Sequence, residues 1–290
     1  MTFKRALFAA LVLSMAACRR AAPEAPVATP SLTVNNPKAP QASPIDLTYR
    51  FDVAPDAPPF KEDYVVFVGV VNADEELMWT DDHNPPTPTT QWKPGQTVTY
   101  TRTVFVPVYP YVGEASIHMG LYSPTTKKRL RLSGQDMGLR AYKVATLQLL
   151  PSAENVFVVF KDGWHVTETP PGNKTVEWQW TKKDATLAFK NPRRDCLFYL
   201  ELDQPGNVFQ QPQHVAVQAG GQALDQFDLA PKSRILRKIP IAAAQLGTGE
   251  LAEIQIDVDK TFVPALVNPG VSKDPRELGV RVFHAFIEAR

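Results

Sequence analysis

Short runs of alternating apolar and polar residues recur along this chain and restrict its fold more than any other feature. Residues 45–53 read IDLTYRFDV and residues 114–122 read EASIHMGLY. A period of two residues is that of a half-buried β-strand. Proline occurs 27 times against 15 glycines, which favours short strands joined by stiff turns over helices. The pattern therefore predicts an all-β fold.

The strand candidates fall into two groups, which predicts two consecutive β-sandwich domains. About seven candidates precede residue 161, and this number suits an immunoglobulin-like sandwich over residues 44–160. The second group predicts a jelly-roll-like sandwich over residues 161–290. Candidates in the first group are residues 45–53, 64–71, 76–80, 96–106, 114–122, 140–150 and 155–160. Those in the second are residues 178–180, 185–189, 197–202, 214–217, 235–241, 253–258 and 280–287.

The first 17 residues have the composition of an export signal. Lys4 and Arg5 precede an apolar stretch over residues 6–17, which is too short to span a bilayer. Small residues then precede Cys18, and this arrangement resembles the bacterial lipoprotein signal, or lipobox. The resemblance implies transfer of diacylglycerol to the Cys18 thiol, cleavage before it and acylation of the new N-terminus.

One position departs from the usual lipobox, because Met15 stands where Leu or Val is common. The alternative is ordinary signal cleavage after Ala16, with Ser14 and Ala16 as the small pair. If Cys18 is acylated, the chain has a lipid bilayer as a partner, since two or more acyl chains anchor a protein stably. The absence of Asp at residue 19 would then predict the outer membrane, with the protein facing the periplasm or the surface.

Residues 18–43 are rich in proline and alanine and show no apolar period. This composition predicts a disordered, partly polyproline-like tether after the acylated cysteine. At about 3.1 Å per residue, such a tether would hold the first sandwich up to roughly 75 Å from the membrane.

A second resemblance concerns the sandwiches themselves. Residues 91–95 (QWKPG), 120–122 (GLY) and 129–132 (RLRL) are similar to accessory sandwich domains of bacterial membrane glycosyltransferases. In the second half, residues 163–165 (GWH) and 274–280 (DPRELGV) resemble the same domains, together with the Trp-Gln-Trp at 178–180. The resemblance implies a sandwich fold and a surface-glycan context, and it implies no catalytic residue.

The long connection from Trp79 to Trp92 is the most unusual stretch of the first module. Its prolines stiffen it, and long ordered loops often carry function. One interpretation is a binding ridge built from Trp79, His83 and Trp92; the other is a crossover whose tryptophans plug the end of the sandwich. Asp81 and Asp82 beside His83 suggest metal, but neighbours in one loop rarely reach the same ion, so no metal is expected.

Three tryptophans of the second module form the other candidate site. Trp178 and Trp180 lie on the same side of a strand because they are two residues apart. With Trp164 they would form a platform on which a sugar stacks; the alternative is an aromatic core. Cys196 alternates with apolar residues, which predicts a buried free thiol without a disulfide partner. The alternation of residues 114–122 also predicts that His118 lies on a polar face.

The composition argues against several functions. A net charge of +1 gives no case for nucleic acid as a partner, and two cysteines exclude a multi-cysteine zinc site. The sequence contains no nucleophile elbow, phosphate loop or zinc-protease motif, and no cofactor is expected.

The sequence thus predicts a non-catalytic, membrane-anchored module that binds or scaffolds an envelope protein or a glycan, and the resemblance implies surface-glycan assembly as its context. A first alternative is a carbohydrate-active enzyme that uses carboxylates such as Asp81, Asp82 or Glu168. A second alternative is a purely structural spacer.

Overall fold

The structure, a computed structural model, describes residues 24–152, 157–171, 176–204, 206 and 208–290. The signal sequence and Cys18 lie outside the described residues, so their predictions stand as made.

The all-β fold with two sandwiches is confirmed: eighteen strands lie in the described residues, with short helical turns at Thr89–Gln91, Ala243–Leu246 and Pro264–Val267. The first sandwich contains β1 (Ala28–Val34), β2 (Lys38–Pro40), β3 (Pro44–Val53), β4 (Val65–Val71), β5 (Leu77–Thr80), β6 (Thr97–Phe105), β7 (Gly113–Tyr122), β8 (Gln135–Asp136) and β9 (Tyr142–Leu150). The second contains β10 (Val158–Phe160), β11 (Gln179–Trp180), β12 (Asp184–Lys190), β13 (Cys196–Asp203), β14 (Gln213–Ala219), β15 (Gln222–Leu229), β16 (Arg234–Ile241), β17 (Leu251–Val258) and β18 (Arg281–Ala289).

The first sandwich has the arrangement of an immunoglobulin-like domain. One sheet has the order β1-β3-β6; the other has the order β2-β9-β7-β4-β5, with β8 beside β9. The chain crosses between sheets after β1, and β2 then pairs in parallel with β9, the last long strand. Alternate residues of β3 and β7 fill the core, among them the fully buried Tyr49, Phe51 and Met119.

The prediction of a disordered tether is wrong for residues 28–40. β1 pairs along its whole length with β3, from Ala28 opposite Val53 to Val34 opposite Leu47. Its side chains alternate between buried and exposed, so the strand has a core face that its proline content concealed. Proline is tolerated because β1 is an edge strand and has no second ladder to join.

The second sandwich packs a five-stranded sheet, β10-β12-β17-β14-β15, on a four-stranded sheet, β11-β18-β13-β16. Gly220 and Gly221, with φ of 55° and 76°, form the hairpin turn between β14 and β15. The sequence had not identified β15 as a strand.

The boundary between the sandwiches lies before β10. The sequence had assigned residues 155–160 to the first module, but β10 pairs with β12 and belongs to the second. A short apolar run carries no information about its pairing partner, so only the sheet order assigns it.

Two predictions about single residues had different outcomes. Cys196 is a buried free thiol, as expected. His118 alternates with the core residues Ile117 and Met119 and so lies on the other face of β7, as predicted, but its position on that face is buried. Burial and nearby Lys143 lower the pKa of His118. In the described ranges, no helix has the length and hydropathy needed to cross a membrane.

Candidate functional site: the inter-sandwich cleft

The two sandwiches border a cleft made of three adjoining cavities of about 440, 380 and 260 Å³, all lined by His284. We call this the inter-sandwich cleft. Its main side chains are Trp79 and Phe105 from the first sandwich and Trp178, Glu201, Arg234, Phe283 and His284 from the second.

Direct contacts hold the two walls of the cleft together. The rings of Phe105, at the end of β6, and His284, on β18, stack with centroids 3.9 Å apart and an interplanar angle of 1°. The rings of Tyr199 and Phe105 meet edge to face, with their centroids 6.3 Å apart. Farther along, Lys238 Nζ donates to Asp46 Oδ1 at 2.9 Å. These contacts therefore fix the two walls of the cleft relative to each other.

A carboxylate on the second sandwich organises the polar part of the cleft. Glu201 Oε2 lies 2.6 Å from His284 Nδ1, and Arg234 Nε donates to Glu201 Oε1 at 2.7 Å. Burial acts to raise the pKa of the Glu201 carboxyl, but the hydrogen bonds from His284 and Arg234 outweigh it and lower the pKa to about 2. Glu201 is therefore ionised at neutral pH.

A β-bulge presents an aromatic ring to the cleft. Glu201 pairs with His284 while Leu202 pairs with Val282, so Phe283 is the extra residue on β18. The Arg234 guanidinium lies 3.6 Å from the centre of the Phe283 ring. This contact fixes both side chains in the wall of the cleft before any ligand arrives.

Trp178 continues this wall. The Arg281 guanidinium lies 5.1 Å from the Trp178 ring, 5.7 Å from Trp180 and 5.5 Å from Phe283. Trp178 and Trp180 thus share one face, as predicted, but their burial differs. Trp180 is buried and packs against Phe262, whereas Trp178 is partly exposed and lines the cleft.

Trp164 does not join a platform with these two rings. Its Nε1 donates to Thr186 O at 2.8 Å, and its ring meets the edge of Phe160 at 4.8 Å. The ring packs against the second core. Of the three tryptophans predicted for the second module, only Trp178 reaches the cleft.

Trp79 and Trp92, which were predicted to form one binding ridge, also lie in different environments. Trp79, on β5, is partly buried and lines two of the three cavities. Trp92 is only 3% exposed, packs against Phe51 and Phe60, and donates through Nε1 to Thr87 O at 2.9 Å. Trp92 is the plug of the sandwich end that the alternative interpretation described.

His83 belongs to a polar network beside the cleft, in which Asp81 and Arg102 also line the cavity of about 440 Å³. Its Nε2 lies 2.8 Å from Tyr100 Oη, and its Nδ1 lies 2.7 Å from Asp81 O. Burial lowers the pKa of His83, and Asp81 acts in the opposite direction. Tyr49 Oη donates to Asp81 Oδ2 at 3.0 Å, and Arg102 Nη2 donates to Asp81 Oδ1 at 2.9 Å. Asp81 and His83 therefore brace the sandwich.

The three carboxylates considered for catalysis do not meet one another, although Asp81 lines the same cavity as Glu201. Asp81 is held by Tyr49 and Arg102, while Asp82 Oδ1 accepts from Val68 N at 3.1 Å. Glu168 lies in the other sandwich and pairs with Arg276 at 2.7 Å. In the part of the chain that the structure describes, no group of three His, Cys, Asp or Glu side chains is placed to hold a metal ion.

Sequence reasoning missed five residues of the cleft, namely Phe105, Glu201, Arg234, Phe283 and His284. A local signal existed for two of them, because Glu201 and His284 are polar residues inside otherwise apolar strands. Such residues mark a special environment, but the sequence does not reveal that the two strands pair with Glu201 opposite His284.

Comparisons with known proteins identify no family. No family model and no curated protein match the chain. Among solved structures, the secreted serine protease VesC from Vibrio cholerae aligns with 89% of this chain at 11% identity and a TM-score of 0.25. The chain spans about half of that protein, 51%.

Two further alignments are to carbohydrate-binding modules. One is to modules of a β-sandwich superfamily, with 9% identity, coverage of 89% and 98% of the two chains, and a TM-score of 0.25. The other is to the N-terminal tandem CBM22 domains of Paenibacillus barcinonensis Xyn10C, with 9% identity, coverage of 90% and 91%, and a TM-score of 0.30. Similarities this low do not bear on what the cleft binds.

Proposed function

We propose that this chain is a non-catalytic glycan-binding module and that the inter-sandwich cleft holds the sugar chain. The observation that carries the proposal is the placement of one partly exposed tryptophan from each sandwich in adjoining cavities. Trp79 lines the cavity of about 380 Å³ and Trp178 that of about 260 Å³, and both cavities are also lined by Glu177, Phe283 and His284.

The chemistry of the lining suits a carbohydrate. A pyranose ring has an apolar C–H face, which packs on an aromatic ring, and a rim of hydroxyl groups. Trp79, Trp178 and Phe283 offer the rings. The ionised Glu201 accepts hydrogen bonds from hydroxyls, and Arg234 donates them, so both polarities lie beside the rings.

The way in which the polar groups are engaged supports binding over catalysis. Glu201 is already bonded to His284 and Arg234, which suits orientation of a ligand more than proton transfer. In the described ranges, no hydroxyl or thiol hydrogen-bonds to His284, as an activated nucleophile would. The contact with Glu201 occupies Nδ1 of His284, so we propose Nε2 as the ring nitrogen that meets the ligand.

The same proposal includes a lipid anchor at Cys18 and a place in the cell envelope, where the bound glycan would be a surface or envelope polysaccharide. The support is the small-residue sequence before Cys18, which follows a positive start and an apolar stretch. Mass spectrometry of the mature N-terminus tests the anchor. The expected result is an acylated Cys18, and an unmodified N-terminus after Ala16 would overturn it.

Glycan binding is tested with an array of purified bacterial envelope polysaccharides, followed by calorimetry on the glycans that bind. We expect Trp79→Ala and Trp178→Ala each to weaken binding at least tenfold. Phe157→Ala is the matched control, because Phe157 is 76% exposed and lies outside the cleft lining. Binding of no glycan, or equal binding by both tryptophan variants and the control, would reject the proposal.

A further inference from the structure

A second surface, at one end of the first sandwich, has a charge very different from that of the whole chain. Residues 127–140 contain five Lys or Arg and one Asp, a net charge of +4 in a chain whose total is +1. We call the group Lys127, Lys128, Arg129, Leu139 and Arg140 the basic tip. These five residues line a shallow cavity of about 500 Å³. No part of the proposed glycan site includes them.

The basic tip also presents an apolar side chain to solvent. Leu139 is 87% exposed, although it sits in a turn whose backbone is fixed. Its carbonyl accepts from Arg129 Nη1 at 3.0 Å, and Arg140 Nη1 donates back to Arg129 O. Leu139 and Arg140 have φ of 52° and 58°, a conformation that costs energy for side chains other than glycine. The fold thus exposes the Leu139 side chain to solvent beside the cationic side chains of the basic tip.

The first residues that the structure describes lie at this tip. Glu24 Oε2 pairs with Arg140 Nη2 at 2.6 Å, and Val27 N donates to Arg131 O at 3.0 Å. Only six residue steps separate Cys18 from Glu24. An extended chain spans at most about 3.6 Å per residue, so Cys18 lies within roughly 22 Å of Glu24. The long spacer expected from composition would have allowed more than three times that reach.

We propose that the basic tip docks on the anionic phospholipid surface of the bilayer that holds Cys18. The proposal rests on the proposed acylation of Cys18 for its geometry. Lys127 and Lys128 are exposed and reach phosphate headgroups, while Leu139 enters the interfacial region beside them. The first sandwich would then stand on the membrane with its tip down.

The test is vesicle co-sedimentation of unacylated residues 19–290, which removes the anchor as a source of binding. This fragment keeps every described strand and both cores, since the first core begins at Val27 and the first strand at Ala28. Vesicles contain either phosphatidylcholine alone or phosphatidylcholine with phosphatidylglycerol. The variant is Lys127→Gln/Lys128→Gln/Leu139→Asn, in which asparagine tolerates the positive φ. Its matched control, Lys182→Gln/Lys183→Gln/Leu266→Asn, removes two exposed lysines and one exposed leucine elsewhere.

We expect binding to the anionic vesicles only, and a loss of about 25-fold in the tip variant, because each lysine at an anionic surface contributes roughly fivefold. The control variant should bind like the unaltered fragment. Equal binding to both vesicle types, or equal loss in both variants, would overturn the proposal. Displacement by millimolar inorganic phosphate would overturn it too, since it would indicate a small-anion site. Glycan binding in the cleft is measured separately and should be the same in the tip variant, so the two proposals fail independently.

Discussion

Phe105 of the first sandwich and His284 of the second stack in parallel, 3.9 Å apart, and this contact joins the two walls of the cleft. Parallel stacking excludes water from both ring faces and restricts rotation of one sandwich against the other. His284 is also held by Glu201, so the stacking geometry is set from the second sandwich.

Replacing Phe105 should therefore loosen the arrangement of the sandwiches without unfolding either. We expect Phe105→Ala to increase the radius of gyration in small-angle X-ray scattering and to weaken glycan binding. Phe157→Ala, which removes an exposed ring outside the cleft, should change neither quantity. An unchanged scattering profile in Phe105→Ala would mean that the stack does not fix the relative position of the sandwiches.

Replacement of Trp92 should affect stability more than replacement of Trp79, which we place in the binding surface. Trp92 is almost fully buried, so Trp92→Ala should lower the free energy of unfolding by about 3–5 kcal/mol. Trp79 is partly buried, and Trp79→Ala should cost at most about 2 kcal/mol. Urea unfolding of both variants measures the difference. Equal losses would show that Trp79 is a core residue and not a residue of the binding surface.

The polar network at Asp81 should contribute to stability through its buried charge. We expect Asp81→Asn to lower the free energy of unfolding by about 3 kcal/mol, because it leaves Arg102 without its carboxylate in a half-buried site. Tyr49→Phe removes one hydrogen bond to the same carboxylate and should cost about 1–2 kcal/mol. Denaturant unfolding of the two variants checks the order, and a larger effect of Tyr49→Phe would contradict it.

Glu201 should make stability depend on pH in the acidic range. Its pKa is lowered from 4.5 to about 2, so the folded state favours the carboxylate. The contribution is fully present above the unfolded pKa and is lost as pH falls from about 4.5 toward 2. It amounts to about 3 kcal/mol at neutral pH.

Glu201→Gln measures this contribution directly. We expect its deficit in the free energy of unfolding to be largest at pH 7 and to shrink by more than half at pH 3. A deficit that is the same at both pH values would show that the carboxylate charge does not contribute. His214→Gln, at an exposed pair with Asp228 on the other sheet, is a control for general effects of acid.

The strand found in the expected tether gives a fifth prediction. Removal of residues 1–43 deletes β1 and β2 and uncovers one edge of each sheet in the first sandwich. We expect this truncation to abolish cooperative thermal unfolding of the first sandwich, whereas removal of residues 1–23 should leave it intact. Calorimetry distinguishes the two, and a normal transition after removal of residues 1–43 would mean that β1 is dispensable.

The strands were largely predictable because alternation is a local property. The predicted residues 45–53 and 114–122 correspond to Pro44–Val53 and Gly113–Tyr122 within one residue at each end. β1, β2, β8 and β15 were missed. In β1 the apolar period runs through prolines, so composition outweighed the period. β15 carries few buried side chains, so it shows no clear apolar period.

The sequence by itself determined the all-β class, most strands, the buried Cys196 and the candidate tryptophans, because each depends on neighbours a few residues away. Only the tertiary structure decided which tryptophans face solvent together and that Glu201 meets His284, 83 residues farther along the chain. Strand pairing, a bulge at Phe283 and the packing of two sandwiches create the cleft. Each of these joins residues far apart in sequence, and a residue pattern along the chain does not encode which distant strand becomes its neighbour.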